Sequence, residues 1–159
     1  MRTYLAPTLP GPASAGLLLV RLVVGLAFVF HGYPKIMNPT GWMGPNAFAP
    51  EWLQAVAAVA EFAGGIAIMI GFLTRLAALA LVADMLVAIV MVHVPQGAPF
   101  VGMGPGHPAS LELPLTYAAV MVLLVLAGAG TLSVDGSLAR ARKTRVETVD
   151  VATRPLTSH

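Results

Sequence analysis

Three ionisable residues lie deep inside apolar stretches of the chain, and their types suit proton chemistry or a buried ion network. Arg21, Glu61 and Asp84 each lie within a hydrophobic run long enough to cross a bilayer. A charge at the centre of a spanning helix costs roughly 2.5–3.5 kcal/mol by insertion scales, so it must face a protein interior and find a partner. Two carboxylates around one arginine leave one excess negative charge, which predicts that one acid holds a proton. The group therefore suits either proton-coupled chemistry or a structural contact that fixes helix register.

A second set of ionisable residues lies near the ends of the same stretches. It comprises His31, Lys35, His93 and Glu112, with His107 in the adjacent loop. Histidine beside a carboxylate can shuttle protons, bind a metal or donate to a quinone carbonyl. No HxxxH or HxxE spacing concentrates ligands on one helix, so no metal is predicted. We treat the first four residues as candidate ligand contacts, with solvated residues at the membrane surface as the alternative. No catalytic residue is assigned.

Four apolar stretches must position these residues, and each has the length of a membrane-spanning helix. A helix needs about 20 residues to cross about 30 Å of hydrocarbon. The stretches lack the strict alternation of barrel strands. The predicted fold is therefore all-α, an integral membrane four-helix bundle within residues 1–136. Its predicted spans are about 14–33, 51–73, 74–94 and 111–132.

The depths of the three central charges predict that they meet. With a helix rise of about 1.5 Å per residue, Arg21 lies about 10 Å from one membrane face, and Glu61 and Asp84 lie about 15 Å from it. We therefore expect an Arg21–Glu61–Asp84 network inside the bundle. Small residues at four-residue spacing, such as Ala60 and Gly64, flank the acids and let helix backbones approach closely.

Basic residues are concentrated after the last apolar stretch, and they set the predicted orientation. Cytoplasmic segments are rich in Lys and Arg, and an even number of spans returns the chain to one side, so both termini are predicted to be cytoplasmic. The basic polar tail, residues 137–159, is expected to be partly disordered and to favour anionic lipid over nucleic acid. Trp42 and Trp52 are interpreted as part of an aromatic belt at the opposite interface.

The composition excludes several classes of protein. Of the 159 residues, 57% are hydrophobic and 10% are charged, whereas soluble domains have about 25% charged residues. A water-soluble particle of this size needs more polar surface than the chain provides. The absence of cysteine excludes disulfides, thiolate metal sites and cysteine redox chemistry within the chain.

An ordered set of short motifs extends over residues 17–136. The set comprises Arg21-Leu22, the run from Phe28 to Lys35, Glu61 to Gly65, Gly71 to Ala78, His93, Phe100, Glu112 to Pro114, Tyr117, Gly128 to Gly130, Ser133 and Asp135-Gly136. In this order the motifs resemble the DoxX family. The resemblance implies a four-helix, multi-pass protein of the bacterial inner membrane. The family is named for a subunit of a thiosulfate:quinone oxidoreductase, and relatives are linked to redox and oxidative-stress complexes.

Three functions stay open from the sequence. The leading one is a redox-associated subunit, as in a quinone-linked oxidoreductase, that binds a quinone or similar small apolar ligand; His31, His93 and Glu112 would contact its polar end. The second is a non-enzymatic assembly or scaffold subunit of a membrane complex, whose buried charges specify packing. The third is a small proton-coupled transporter, for which four unbroken spans are few. The partners expected for the protein are the lipid bilayer and either a redox partner subunit or further copies of the chain in a homo-oligomer.

Overall fold

The computed structural model describes residues 11–102, 104 and 109–153, and these form five α-helices. The helices are α1 (Pro12–Met37), α2 (Glu51–Ile70), α3 (Thr74–Ala88), α4 (Glu112–Ala127) and α5 (Val134–Thr153). A π-helical turn, Ile89–His93, continues α3. No strand occurs among the described residues, which agrees with the all-α prediction.

Three helical segments are long and apolar enough to cross a membrane by length and composition. They are α1, α2 and the segment Thr74–His93, which joins α3 to its π-helical turn. At 16 residues, α4 is apolar but shorter than the predicted span 111–132. Large apolar side chains also point outward from these helices, with Phe30 70% exposed and Leu126 72% exposed. Apolar surface on this scale suits contact with lipid.

Proline does not end α1, because the helix passes through Pro34 and continues to Met37. The predicted end at residue 33 is therefore about one turn too early. A proline removes one backbone donor, which costs most in a helix interior, and Pro34 lies in the final turns. The extra turn carries Lys35 inward beside α2, where it forms an ion pair with Glu61.

Glycines bring α1 and α2 into close backbone contact. A Cβ atom added to Gly25 would lie 2.8 Å from the Gly65 carbonyl oxygen, and one added to Gly32 would lie 2.5 Å from the Phe62 nitrogen. Both distances are shorter than a van der Waals contact, so only glycine fits. The small-residue packing expected from the sequence therefore occurs, but its tightest contacts use Gly25, Gly32 and Gly65.

The apolar interior is formed by all four apolar helices. Contacts join α1 to α2, α2 to α3 and α3 to α4, and the rings of Phe28 on α1 and Tyr117 on α4 lie 5.1 Å apart. Phe28, Ile68, Leu81 and Met121 are fully buried between the helices. Each helix thus has one face toward this interior and one face outward.

The two ends of this helix assembly differ in structure. At one end, which we call the turn end, the short Gly71–Leu73 turn lies beside the connection 128–133 and the start of α5. At the other, the loop end, the chain makes the long connection 38–50 and the connection that follows the π-helical turn. The tail 137–159 was expected to be partly disordered; its residues 137–153 are helical, and 154–159 lie outside the described residues.

Candidate functional site

Arg21 is 1% exposed and donates hydrogen bonds from all three guanidinium nitrogens to backbone carbonyls at the turn end. Its Nε donates to the Ile68 oxygen at 3.0 Å, and one terminal nitrogen donates to the Met69 oxygen at 3.2 Å. Both terminal nitrogens donate to the Leu132 oxygen at 3.1 Å, and one also donates to the Ala129 oxygen. Guanidinium has five N–H donors, and five such bonds are made. Arg21 therefore has no donor left for a ligand.

These bonds give Arg21 the role of a cap on α2. Ile68 and Met69 belong to the last turn of α2, where carbonyls have no partner within the helix and carry the negative end of the helix dipole. Asp135 is the acidic group that acts on Arg21 electrostatically. Neutral carbonyl dipoles, assisted by one carboxylate from α5, thus stabilise this buried cation.

The expected Arg21–Glu61–Asp84 network does not form, since Arg21 belongs to a separate cluster. Gly25 packs at the level of Gly65 and Met69, so the residues before it on α1 lie at and beyond the end of α2. Glu61 precedes Ile68 by seven residues, which is about 10 Å along the helix axis. The predicted network requires α1 and α2 to end at the same level, but α1 extends past the end of α2 and carries Arg21 away from Glu61.

Asp135 extends the same cluster to α3. Its two carboxylate oxygens accept hydrogen bonds from the backbone nitrogens of Leu73 and Thr74, each at 2.9 Å. Its own backbone nitrogen donates to the Gly71 oxygen at 2.9 Å. Leu73 has a φ of 46°, a conformation that is uncommon for a non-glycine residue, and Asp135 holds it in place. Ser14 adds a further tie, because its hydroxyl oxygen accepts from the Thr131 nitrogen at 2.7 Å.

A second polar cluster lies toward the loop end and includes Lys35, Glu61 and Asp84. Lys35 Nζ donates to Glu61 Oε1 at 2.5 Å, and the Glu61 side chain is 4% exposed. The ammonium group also lies 4.4 Å from the centroid of the Trp42 ring, within range of a cation–π interaction. The Asp84 carboxyl reaches the Glu61 carboxyl from α3 and lies within electrostatic range of Lys35. Three helices thus contribute one base and two acids to one place.

Glu61 has one oxygen that no described residue satisfies. Glu61 Oε2 and Thr74 Oγ1 are the buried side-chain polar atoms that lack a hydrogen-bond partner within the described part of the chain. The threonine oxygen belongs to a neutral hydroxyl at the start of α3. The glutamate oxygen belongs to an acid, for which burial without a partner costs more.

The connection 38–50 covers this second cluster and is fixed by Gln54. Gln54 is 3% exposed; its amide nitrogen donates to the Ala49 oxygen at 3.0 Å, and its amide oxygen accepts from the Met43 nitrogen at 3.2 Å. Trp42 Nε1 donates to the Gln54 backbone oxygen at 3.0 Å. These bonds hold the Trp42 ring over Lys35. Trp42, which the sequence pattern assigns to an aromatic belt at the interface, lies in the wall of the site.

A cavity of about 600 Å³ opens beside the cluster, between α2, α3 and the connection 38–50. Lys35, Glu61 and Asp84 form its charged part, and Trp42 and Phe48 contribute aromatic rings. Small side chains on the facing sides of the two helices leave the space open; they are Ala57, Ala60, Ala80, Ala83 and Ala88. A concave, mainly apolar space with a few converging polar groups is the usual form of a small-molecule site.

Of the four candidate ligand contacts chosen from the sequence, Lys35 alone lines this cavity. His31 is exposed, with its ring centroid 6.1 Å from that of Tyr117. His93 lies in the π-helical turn, where its Nδ1 is 3.0 Å from the Ala88 oxygen. Glu112 is exposed at the start of α4. His107 lies outside the described residues.

Sequence reasoning missed a seven-residue spacing that would have found part of this site. Ser14, Arg21, Phe28 and Lys35 recur every seven residues and share one face of α1, since seven residues make about two helical turns. On α2, the spacing from Gln54 to Glu61 to Ile68 is the same. The buried face of α1 could therefore have been extended to Lys35. The contribution of Asp135 has no comparable signal, because its partners lie about sixty residues earlier.

Comparison with known proteins places these features in a family. The sequence profile of the DoxX family matches residues 16–94, which hold Arg21, Lys35, Glu61 and Asp84. An uncharacterised protein of Haemophilus influenzae is 32% identical over 121 residues, which cover 75% of this chain and 87% of that protein. An uncharacterised membrane protein of Mycobacterium tuberculosis is 32% identical over 142 residues, covering 82% and 84%. The inner membrane protein YqjF of Escherichia coli is 34% identical over 71 residues, covering 42% and 52%. No solved structure matches the chain.

Several apolar helices of spanning length, with polar clusters between them, define a multi-pass helical membrane protein. The family profile and the relatives of similar length establish more, and the chain belongs to the DoxX family. The resemblance found in the sequence is therefore confirmed. The predicted location, a bacterial inner membrane crossed more than once, is supported by the same helices and relatives.

Proposed function

We propose that this protein is a redox-associated subunit of the bacterial inner membrane, and that it binds a quinone or a similar small apolar ligand in the cavity between α2 and α3. The observation that carries the proposal is the unpartnered Glu61 oxygen beside Lys35 and Asp84, at the charged part of an otherwise apolar cavity. A purely structural cluster has no use for open space next to an unsatisfied buried acid.

The size and chemistry of the cavity suit such a ligand. Small-molecule sites commonly have volumes of about 300–1,000 Å³, and this one has about 600 Å³. An apolar tail would lie along the alanine-lined parts of α2 and α3, while a polar head would lie at Lys35. The lysine ammonium has three N–H donors and makes one hydrogen bond within the described part of the chain, to Glu61, which leaves donors for an oxygen of the head group.

We propose a four-helix bundle with both termini in the cytoplasm. The basic residues of α5, together with Arg75 next to the Gly71–Leu73 turn, favour a cytoplasmic turn end. The loop end then faces outward, and the cavity lies in the outer part of the bundle. A ligand dissolved in the bilayer would enter sideways between α2 and α3. Because the chain has no cysteine, a redox role rests on the bound ligand and on a partner subunit.

The test is to purify the protein in mild detergent, extract the bound lipids and measure quinone per protein by mass spectrometry. Ala83→Trp, which puts an indole into the cavity, is expected to lower bound quinone at least about tenfold. Ala119→Trp, at an exposed position on α4, is the matched control and should bind like the unchanged protein. Absence of quinone, together with no binding of added decylubiquinone, would overturn the proposal.

A scaffold role is the second candidate, and the turn end favours it. Arg21 and Asp135 tie α1, α2, α3 and α5 together, and all five N–H donors of Arg21 and both carboxylate oxygens of Asp135 are used. If the protein only supports the assembly of a complex, Lys35→Met should leave partner recovery and partner activity unchanged. Loss of partner activity in a Lys35→Met protein that still assembles would instead favour the ligand-binding role.

A further inference from the structure

The charged part of the cavity has more acceptors than donors. Lys35 Nζ satisfies Glu61 Oε1, and nothing in the described part of the chain satisfies Glu61 Oε2. The Trp42 N–H is already committed to the Gln54 carbonyl. Asn46 and Gln96, whose amides could donate, are exposed residues of the connections. A donor at Glu61 Oε2 therefore comes either from a proton shared with the neighbouring Asp84 carboxyl or from outside the protein.

The balance of charge points the same way. Lys35 from α1 carries one positive charge, while Glu61 from α2 and Asp84 from α3 are both acids. Two neighbouring carboxyl groups disfavour double ionisation. A proton shared by the two carboxyl groups would satisfy Glu61 Oε2, and so would a hydrogen-bond donor on a ligand. A neutral ligand donor leaves the charge of the cluster unchanged, but it supplies the hydrogen bond that Glu61 Oε2 lacks among the described residues.

We infer that the cavity selects a ligand whose polar head donates a hydrogen bond, such as a hydroquinone or another hydroxylated apolar molecule, over a ligand that can only accept. The inference rests on the proposed function and narrows it. A hydroxyl group placed between Lys35 and Glu61 accepts from the ammonium and donates to the free carboxylate oxygen. A quinone carbonyl accepts from Lys35, but it leaves Glu61 Oε2 unsatisfied and brings another acceptor oxygen, with a partial negative charge, toward the acids.

Two probes that differ in one donor test this inference without redox chemistry. They are para-octylphenol and para-octylanisole, which share the ring and the apolar tail, while a methyl group replaces the hydroxyl hydrogen in the anisole. Binding to the purified full-length protein in detergent is measured by competition against decylubiquinone. The phenol is expected to bind about tenfold more tightly, a ratio that corresponds to about 1.4 kcal/mol.

Two variants assign the preference to Glu61. Glu61→Gln replaces the carboxylate with an amide, and its preference for the phenol should fall to within about twofold. Glu51→Gln, an exposed position in the first turn of α2, is the matched control and should keep the full preference. Asp84→Asn keeps the Lys35–Glu61 pair and supplies an amide N–H beside Glu61, so it should also remove the preference while the anisole binds as before.

The outcomes separate the inference from the function on which it rests. If both probes bind with equal affinity, or if the anisole binds better, the inference is overturned and the cavity remains a ligand site. If neither probe nor decylubiquinone binds, the proposed function fails. A preference that survives in both Glu61→Gln and Asp84→Asn proteins would also overturn the inference, because its source would then lie elsewhere.

Discussion

The two polar clusters of this protein contain similar residue types but differ in how completely those residues are satisfied. At the turn end, Arg21 uses all five of its N–H donors on carbonyls, and Asp135 uses both of its oxygens on backbone nitrogens. Toward the loop end, Glu61 has a buried oxygen beside a cavity to which no N–H or O–H of the described residues donates. The comparison teaches that a buried charge in a membrane helix indicates function only after its partners have been counted.

Partners must be counted because the protein interior has a low dielectric constant. A buried charged group without a partner is the most costly case there, so a cluster that serves only stability is expected to satisfy its charged members. A cluster that must accept a ligand has to leave some hydrogen-bonding capacity free. Stability should therefore depend most on the turn end, and ligand binding should depend on the cluster toward the loop end.

The largest expected effect is that of Arg21→Met. The change removes five hydrogen bonds and leaves the carbonyls of α2 and of the connection 128–133 without their shared donor. Each buried acceptor left without its donor costs about 1–3 kcal/mol, and several carbonyls lose the same donor, so the denaturation midpoint in detergent should fall by more than in the variants below. Arg142→Ala, at an exposed position on α5, is the control. If Arg21→Met were as stable as the unchanged protein, the turn-end cluster would not be the main source of stability, and the comparison between the two clusters would fail.

Lys35→Met should have a smaller effect on stability and a large effect on binding. It leaves Glu61 with two unsatisfied oxygens, for which the expected cost is about 1–3 kcal/mol. The cost is lower than for Arg21 because the Lys35 side chain is 23% exposed, whereas Arg21 is 1% exposed. Chemical unfolding and decylubiquinone binding, measured on the same preparation, would give the two effects. A loss of stability equal to that of Arg21→Met would contradict the comparison.

Asp135→Ala should lower stability modestly without affecting binding. The side chain caps the start of α3, and loss of a helix cap costs about 0.5–2 kcal/mol. Hydrogen exchange at Leu73 and Thr74 should become faster. Asp135→Asn retains one acceptor oxygen, so its stability should lie between that of the unchanged protein and that of Asp135→Ala. Weaker ligand binding in Asp135→Ala protein would show that the two ends are coupled.

The smallest effect is expected for His31→Gln, which tests a contact favoured by the sequence. The side chain is exposed, and its described contact is the edge of Tyr117. Surface substitutions usually change stability by less than about 0.5 kcal/mol, and decylubiquinone affinity should stay the same. A clear loss of decylubiquinone affinity would show that His31 contacts the ligand, and the proposed site would then lie closer to α4.

The helical segments, the family and the burial of Arg21 and Glu61 could all be predicted from the sequence. Their hydrophobic runs are long, and a charge within them has few alternatives to the interior. The partners could not be predicted. The pairing of Glu61 with Lys35 depends on α1 continuing through Pro34 and on the offset between α1 and α2, which the glycine contacts set. The cavity is covered by the connection 38–50, which Gln54 holds in place. This connection has no periodic sequence pattern from which its conformation could be predicted.

The most direct measurement is hydrogen–deuterium exchange of the detergent-solubilised protein with and without decylubiquinone. Ligand binding beside Lys35 and Glu61 should slow exchange in the connection 38–50 and in the adjoining parts of α2 and α3. Exchange at Gly71–Thr74 and at 128–133 should not change. Protection confined to the turn end, or no protection anywhere, would contradict the assignment of the ligand site to the cluster near the loop end.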